Sequence, residues 1–185
     1  MGANLIARLS QVKDFRKARG QRYPLWLVLL LVIMGTISGC TGYGALEEFA
    51  RRHHQALVER LSISSSRLPS DSTFRRIMSN VDFEDLTRVF NQWARDYVTL
   101  EHSEWLAIDG KSIKGTVSNY DNAYQNFVSV VSVFSSTQGL TISLSQFKNK
   151  DNSEITVVQA LLEALDISQV VFTFDALHCQ KKRLN

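Results

Sequence analysis

Two aspartates stand where short apolar runs deliver them. Trp105-Leu106-Ala107-Ile108 leads into Asp109, and Gly110-Lys111 follow at once; Val170-Val171-Phe172-Thr173-Phe174 leads into Asp175. Burying an ionised carboxylate is costly unless it is paired or bound to metal. Two acids at the ends of two strands are therefore poor packing choices. Together they suggest a divalent-metal site for phosphoryl transfer. The alternative for Asp109 is a strand-end turn, which Asp before Gly commonly makes.

The elements that must position these acids follow from periodicity. Trp105 to Asp109 reads as a strand ending on the first acid, and Gln125 to Ser135 as a second strand. Leu140 to Ser145 alternates at period two and reads as a third, joined to the second through the hairpin loop Ser136-Thr137-Gln138-Gly139. Asn152 or Ser153 caps a helix running to about Leu165, with Ile155, Val158, Leu161, Leu162 and Leu165 inward. Val170 to Asp175 is the last strand. The order strand, strand, strand, helix, strand implies a mixed sheet with helices packed on it.

The first hundred residues read as helical. Met1 to Gln21 is an initial helix with a basic end, and Pro24 suits the first turn of the next helix. Leu25 to Gly39 follows, apolar all round and so buried. The Gly39-Cys40-Thr41-Gly42-Tyr43-Gly44 turn lacks the spacing of a phosphate-binding loop. Ala45 to Leu61 is amphipathic and carries His53 and His54, read as solvated or cap-like. Ser70 or Asp71 caps a short helix through Met78 that ends near Arg75 and Arg76. Its N-terminal hydroxyls and N–H groups could hold a DNA phosphate, or could simply cap. Asp82 to Leu100 closes the helical part.

Composition sets bounds. In 185 residues, 44% are hydrophobic and 21% charged, ordinary for a globular chain. Cys40 and Cys179 form no framework, so a reducing cytoplasm is expected. Residues 1–100 carry 14 Lys and Arg against 9 Asp and Glu, and the remainder 7 against 9. A basic front half before an acidic rear half fits a nucleic-acid-binding module ahead of a carboxylate-bearing one. The apolar run from Leu25, even stretched to Ile37, is short of the ~20 residues that cross a bilayer. No membrane partner is expected.

The motifs in order resemble the H-repeat-associated insertion-sequence transposases, a group of DDE transposases. Ile108-Asp109-Gly110-Lys111-Ser112-Ile113-Lys114-Gly115 resembles their first-acid motif. Lys148-x-Lys150-x-Asn152-Ser153-Glu154-Ile155 resembles the next block, and Phe174-Asp175-Ala176-Leu177-His178-Cys179-Gln180-Lys181 the second-acid motif. The resemblance implies an α/β chain, α+β overall. A helical transposase-associated domain at 1–100 precedes an incomplete RNase H-like catalytic domain at 101–185. It implies DNA transposition with Mg²⁺ or Mn²⁺ held by Asp109 and Asp175, and element ends as the partner. From the residues themselves, Arg75 and Arg76 on the short helix, which could serve as a helix-turn-helix reader, and Lys111 and Lys114 are candidate DNA contacts, with plain exposed surface charge as the alternative. A homo-oligomer or a full-length transposase is a further expected partner. The family's third acid, a Glu well downstream of Asp175, has no counterpart, and Glu101, Glu104, Glu154 and Glu163 all precede Asp175. A truncated copy, inactive alone, is therefore expected. The alternative is a non-catalytic DNA-binding or inhibitory transposase-derived protein.

Overall fold

The computed structural model describes residues 2–63, 67–98, 103–118, 126–148, 151–165 and 168–174. Six helices come first: α1 (Gly2–Leu9), α2 (Leu25–Ile37), α3 (Tyr43–Arg52), α4 (His54–Leu61), α5 (Asp71–Met78) and α6 (Phe83–Arg95). The strands β1 (Trp105–Ser118), β2 (Asn126–Ser135) and β3 (Leu140–Lys148), helix α7 (Glu154–Leu165) and β4 (Val171–Phe174) follow. The chain divides into two compact units, Met1–Val89 and Phe90–Asn185.

The first unit is built around α2. Leu25, Leu27, Val28, Leu29, Leu30 and Leu31 are all buried, packed with Leu46, Ala50, Leu57, Phe74, Ile77 and Val89. The window Ala18–Ile37 has the length and composition to span a membrane. Here its helical part is instead a core helix: its first two turns are buried almost all round, Val32 to Met34 are half-buried, and its end, at Ile37, is exposed. Pro24 stands one place earlier than expected, as the N-cap. The C-terminus closes on Gly39 at φ 84°, where the Cys40 N–H reaches Gly35 O and the Gly39 N–H reaches Thr36 O. That doubled closure needs a left-handed residue, which glycine adopts without strain.

The helix expected over Met1 to Gln21 stops at Leu9, and a pinned loop replaces its second half. The Lys13 N–H donates to Asp85 at 2.7 Å. Arg16 turns inward, its side chain 6% exposed, and makes two bonds to the Asp14 carboxylate. Its guanidinium also donates to the carbonyls of Gly20 and Tyr23. Tyr23 is buried and its hydroxyl donates to Leu68 O. These side-chain bonds compete with the helical ladder and win.

The single helix expected over Ala45 to Leu61 breaks at His53 (φ −98°, ψ 11°), which caps α3 and opens α4. The His53 ring lies against Phe49, with centroids 4.8 Å apart. His54 is not solvated at Nε2, which is buried and without a hydrogen-bond partner among the described residues.

In the second unit the sheet order is β3-β2-β1-β4. β1 runs antiparallel to β2 and parallel to β4, and β2 runs antiparallel to β3. Parallel neighbours need a crossover, and α7 supplies it. The Ser153 hydroxyl accepts the Thr156 N–H, so Ser153 is the working cap. Val157, Val158, Leu161 and Leu165 pack on Leu106, Ile108, Val131, Val133, Ile142 and Phe147.

Composition changes near residue 100, where the strands begin, yet the units divide earlier. The Asn91 amide donates to Leu144 O and accepts the Leu144 N–H, each at 2.9 Å, as a neighbouring strand would. Arg95 donates to Ala164 O. The later turns of α6 thus serve the sheet and shield its β3 edge.

The Arg16 pin gives the first testable expectation. Its bonds hold the Asp14 carboxyl below its ordinary 3.8, with the Arg16 hydrogen bond as the largest cause. The unfolded chain therefore binds the proton more readily than the folded one. This stabilisation is complete at neutral pH and is lost as pH falls below 3.8 through the lower folded value. Arg16→Ala should cost about 2–3 kcal/mol at pH 7 in urea unfolding, by the lost pair and its backbone bonds. The cost should shrink in acid; an equal cost at both pH values would reject the pin.

Candidate active site

Asp109 does not end its strand. β1 continues to Ser118, and Asp109 sits inside it opposite Ser132. What ends there is the described pairing on the other side. β4 follows β1 in parallel from Trp105↔Val171 to Ile108↔Phe174. Among the described residues the register therefore runs as far as Ile108, the residue before Asp109, and Phe174, which immediately precedes Asp175 in sequence. Asp175 itself lies outside the described residues, as do His178, Cys179 and the closing basic run.

Alternation along β1 sorts the side chains. Leu106 and Ile108 are buried under α7, while Asp109 and Lys111 are exposed on the opposite, open face. Trp105 and Ile113 share that face and are 58% and 44% exposed. The Asp109 carboxylate makes no hydrogen bond or ion pair among the described residues. Lys111 pairs through its backbone position with Val130. Lys114 lies in β1 as well, though its side chain is outside the described set.

Gly110 is a strand residue, not a turn residue. A Cβ there would overlap the carboxylate of Glu154, which stands at the first turn of α7. The first-acid motif and the Asn152-Ser153-Glu154 block thus meet across one glycine. Glu154 approaches from the α7 face and Asp109 leaves on the other, so the two flank residue 110 rather than share a pocket. The other glutamates are further away in role. Glu104 is buried at the start of β1, where the Ser135 hydroxyl donates to it. It lies about 16 Å along the strand from Asp109 by the usual rise per residue. Glu163 is exposed near the far end of α7. Among the described residues no three His, Cys, Asp or Glu side chains gather as a metal-binding group.

The arginines read from the sequence as DNA contacts belong to the first unit. Arg75 and Arg76 are exposed on α5. Arg75 sits 3.5 Å from Asp71 and 5.8 Å over the Tyr43 ring. The N-terminus of α5 is taken: the Asp71 N–H donates to Glu47 at 2.8 Å. The Ser70 hydroxyl faces Ser72 and Thr73 and makes no cap bond. A carboxylate thus stands where a phosphate would have to come. Sequence reading missed Glu47 because its partner is 24 residues away. It also missed Gly110 as a contact point, whose signal was glycine inside a β-type run.

Comparison with known proteins then adds to this geometry. The DDE_Tnp_1-associated family matches residues 6–94. The chain is 30% identical to "H repeat-associated putative transposase YbfD" of Escherichia coli (strain K12), over 96% of this chain and 68% of that protein. It is 30% identical to "H repeat-associated putative transposase YhhI" of the same strain, over 96% of this chain and 46% of that protein. It is 28% identical to "Putative transposase YncI" of Escherichia coli O157:H7, over 96% of this chain and 45% of that protein. The chain thus spans about half the length of the first relatives it matches. No solved structure matches it.

The Gly110 contact can be checked by substitution. Gly110→Ala should change folding stability by less than about 1 kcal/mol, because the obstacle is the mobile end of a glutamate and alanine suits a strand better than glycine. Ser153→Ala should cost about 1 kcal/mol through the lost cap. Urea midpoints for the two variants settle the ranking, and a larger loss for Gly110→Ala would mean that Glu154 is held rigidly.

Proposed function

Since this chain belongs to the H repeat-associated transposases, we propose that it acts in DNA transposition by metal-dependent phosphoryl transfer, with Asp109 and Asp175 holding the metal. The observation that carries the proposal is the parallel register of β1 and β4, which runs up to the residue before each acid. An RNase H-like catalytic half is the fold reading that goes with this register and with the order β3-β2-β1-β4.

The donor chemistry of Asp109 fits a hard cation. Its carboxylate is exposed, free of protein partners among the described residues, and set in a strand paired with β2 at that position and with β4 up to the residue before it. Carboxylate oxygens suit Mg²⁺ or Mn²⁺. When bound, the cation supplies Lewis-acid polarisation of a phosphate oxygen and a nucleophile at neutral pH. Asp109 would hold and orient it, and the strand rather than a loop fixes where that carboxylate stands. Lys111, two residues along the same face, is placed to attract a phosphate. The sheet face carrying Asp109 is open, as a site that admits a DNA backbone requires. In the cytoplasm, where element DNA is accessible, the helical unit would supply further DNA contact.

The test is Mn²⁺ binding followed by paramagnetic resonance or calorimetry. Asp109→Asn and Asp175→Asn should each weaken binding at least roughly tenfold, as loss of one of two charged ligands would. Equal binding by the wild type and both variants would reject the proposal. The readout does not depend on DNA cleavage.

A further inference from the structure

We infer that the loop between α1 and α2, residues 10–24, is a DNA-backbone contact surface, with Lys17, Arg19 and Arg22 as its phosphate-binding side chains. The inference rests on the reading that the protein works on DNA, and it goes beyond that reading by naming a surface.

Charge accounting points to this loop. Residues 13–23 carry five Lys or Arg against one Asp, a balance of +4. The rest of the first unit carries eight against seven, a balance of +1. Nearly all of the unit's excess charge therefore sits in eleven residues. Elsewhere the arginines are largely answered. Glu48 holds Arg51 and Arg52, Asp71 stands by Arg75, and Asp85 holds Arg88. A cation whose charge is already offset by a carboxylate neutralises little of a phosphate's charge, so few DNA counterions are released.

The loop is also organised. Arg16 is turned inward against Asp14, Gly20 O and Tyr23 O, and Gln21 donates to Arg16 O at 2.8 Å. A 3-10 turn over Ala18–Gly20 sits between these anchors. With Arg16 committed to the interior, Lys17, Arg19 and Arg22 are exposed on the outside. None of the three makes an ion pair among the described residues; Arg22 lies 5.7 Å over the ring of Tyr23. Three unpaired cations on a pre-formed loop match a phosphate backbone with little ordering cost. The same charges could meet an anionic membrane. The neighbouring apolar helix argues against that, because its side chains are spent on the unit's own core.

The experiment uses the full chain and a short labelled DNA duplex in anisotropy titrations across a salt series. The triple variant Lys17→Gln, Arg19→Gln, Arg22→Gln is compared with the double variant Arg75→Gln, Arg76→Gln. Each phosphate contact contributes about 0.9 to the slope of log K against log salt. The triple variant should lower that slope by roughly 2 to 3 and weaken binding on the order of 10- to 100-fold at moderate salt. The double variant should bind within about threefold of wild type, as paired or isolated surface charges do. All three side chains are exposed, so the triple variant should keep the wild-type circular dichroism and melting midpoint. Wild-type slope in the triple variant would overturn the loop assignment and leave the metal site standing. Unchanged DNA binding with loss of binding to phosphatidylserine vesicles would overturn it in favour of a membrane role. No salt-dependent DNA binding by the wild type would overturn the loop and the DNA reading together, whereas Mn²⁺ binding at Asp109 would still report on the metal site.

Discussion

Four residue pairs, Trp105↔Val171 to Ile108↔Phe174, tie β4 to the rest of the sheet among the described residues. Parallel pairing cannot form locally, because the two strands must be brought together by a crossover. Much of the second unit serves that requirement. Ser153 starts α7 at the right point, and the Val157, Val158, Leu161 and Leu165 stripe presses it on the sheet. Asn91 covers the Leu144 peptide at the far edge, so the sheet does not end on unpaired groups there. The ladder places Asp109 beside the line of β4. Without it Asp109 would be an ordinary exposed residue of a hairpin.

Much of this was legible in the sequence, and the exceptions have physical causes. The four strands and the helix among them were readable from alternation and β-branched content, and α2 was readable as a core helix from its length and unbroken apolarity. The end of β1 was misplaced because Asp-Gly usually marks a turn. Gly110 is there for a different reason, the close approach of Glu154, which no local pattern encodes. The first helix was drawn too long because Arg16 and Asp14 look like surface residues of a helix. In the fold they bond each other and the loop backbone. The break at His53 carries no proline or glycine to announce it.

The candidate site was legible in part. Asp109 and Lys111 share the open face that a strand period of two predicts. The short helix α5 reads differently once its surroundings are known. A helix N-terminus is attractive to anions in isolation. Glu47, distant in sequence, already fills that role for the Asp71 N–H. A contact between positions 24 residues apart is invisible to a window scan.

The inward turn of Arg16 has an evolutionary consequence. One arginine fixes the shape of the loop, while the side chains of its neighbours at 17, 19 and 22 are exposed and make no ion pair among the described residues. Architecture and recognition are therefore assigned to different positions within a few residues. Mutations at the three outer sites can accumulate without eroding the scaffold, so this stretch can drift among sequence variants of a mobile element while Arg16 and Asp14 stay constrained. Lysine at 16 would not be an equivalent replacement, since one ammonium cannot span a carboxylate and two carbonyls as a planar guanidinium does.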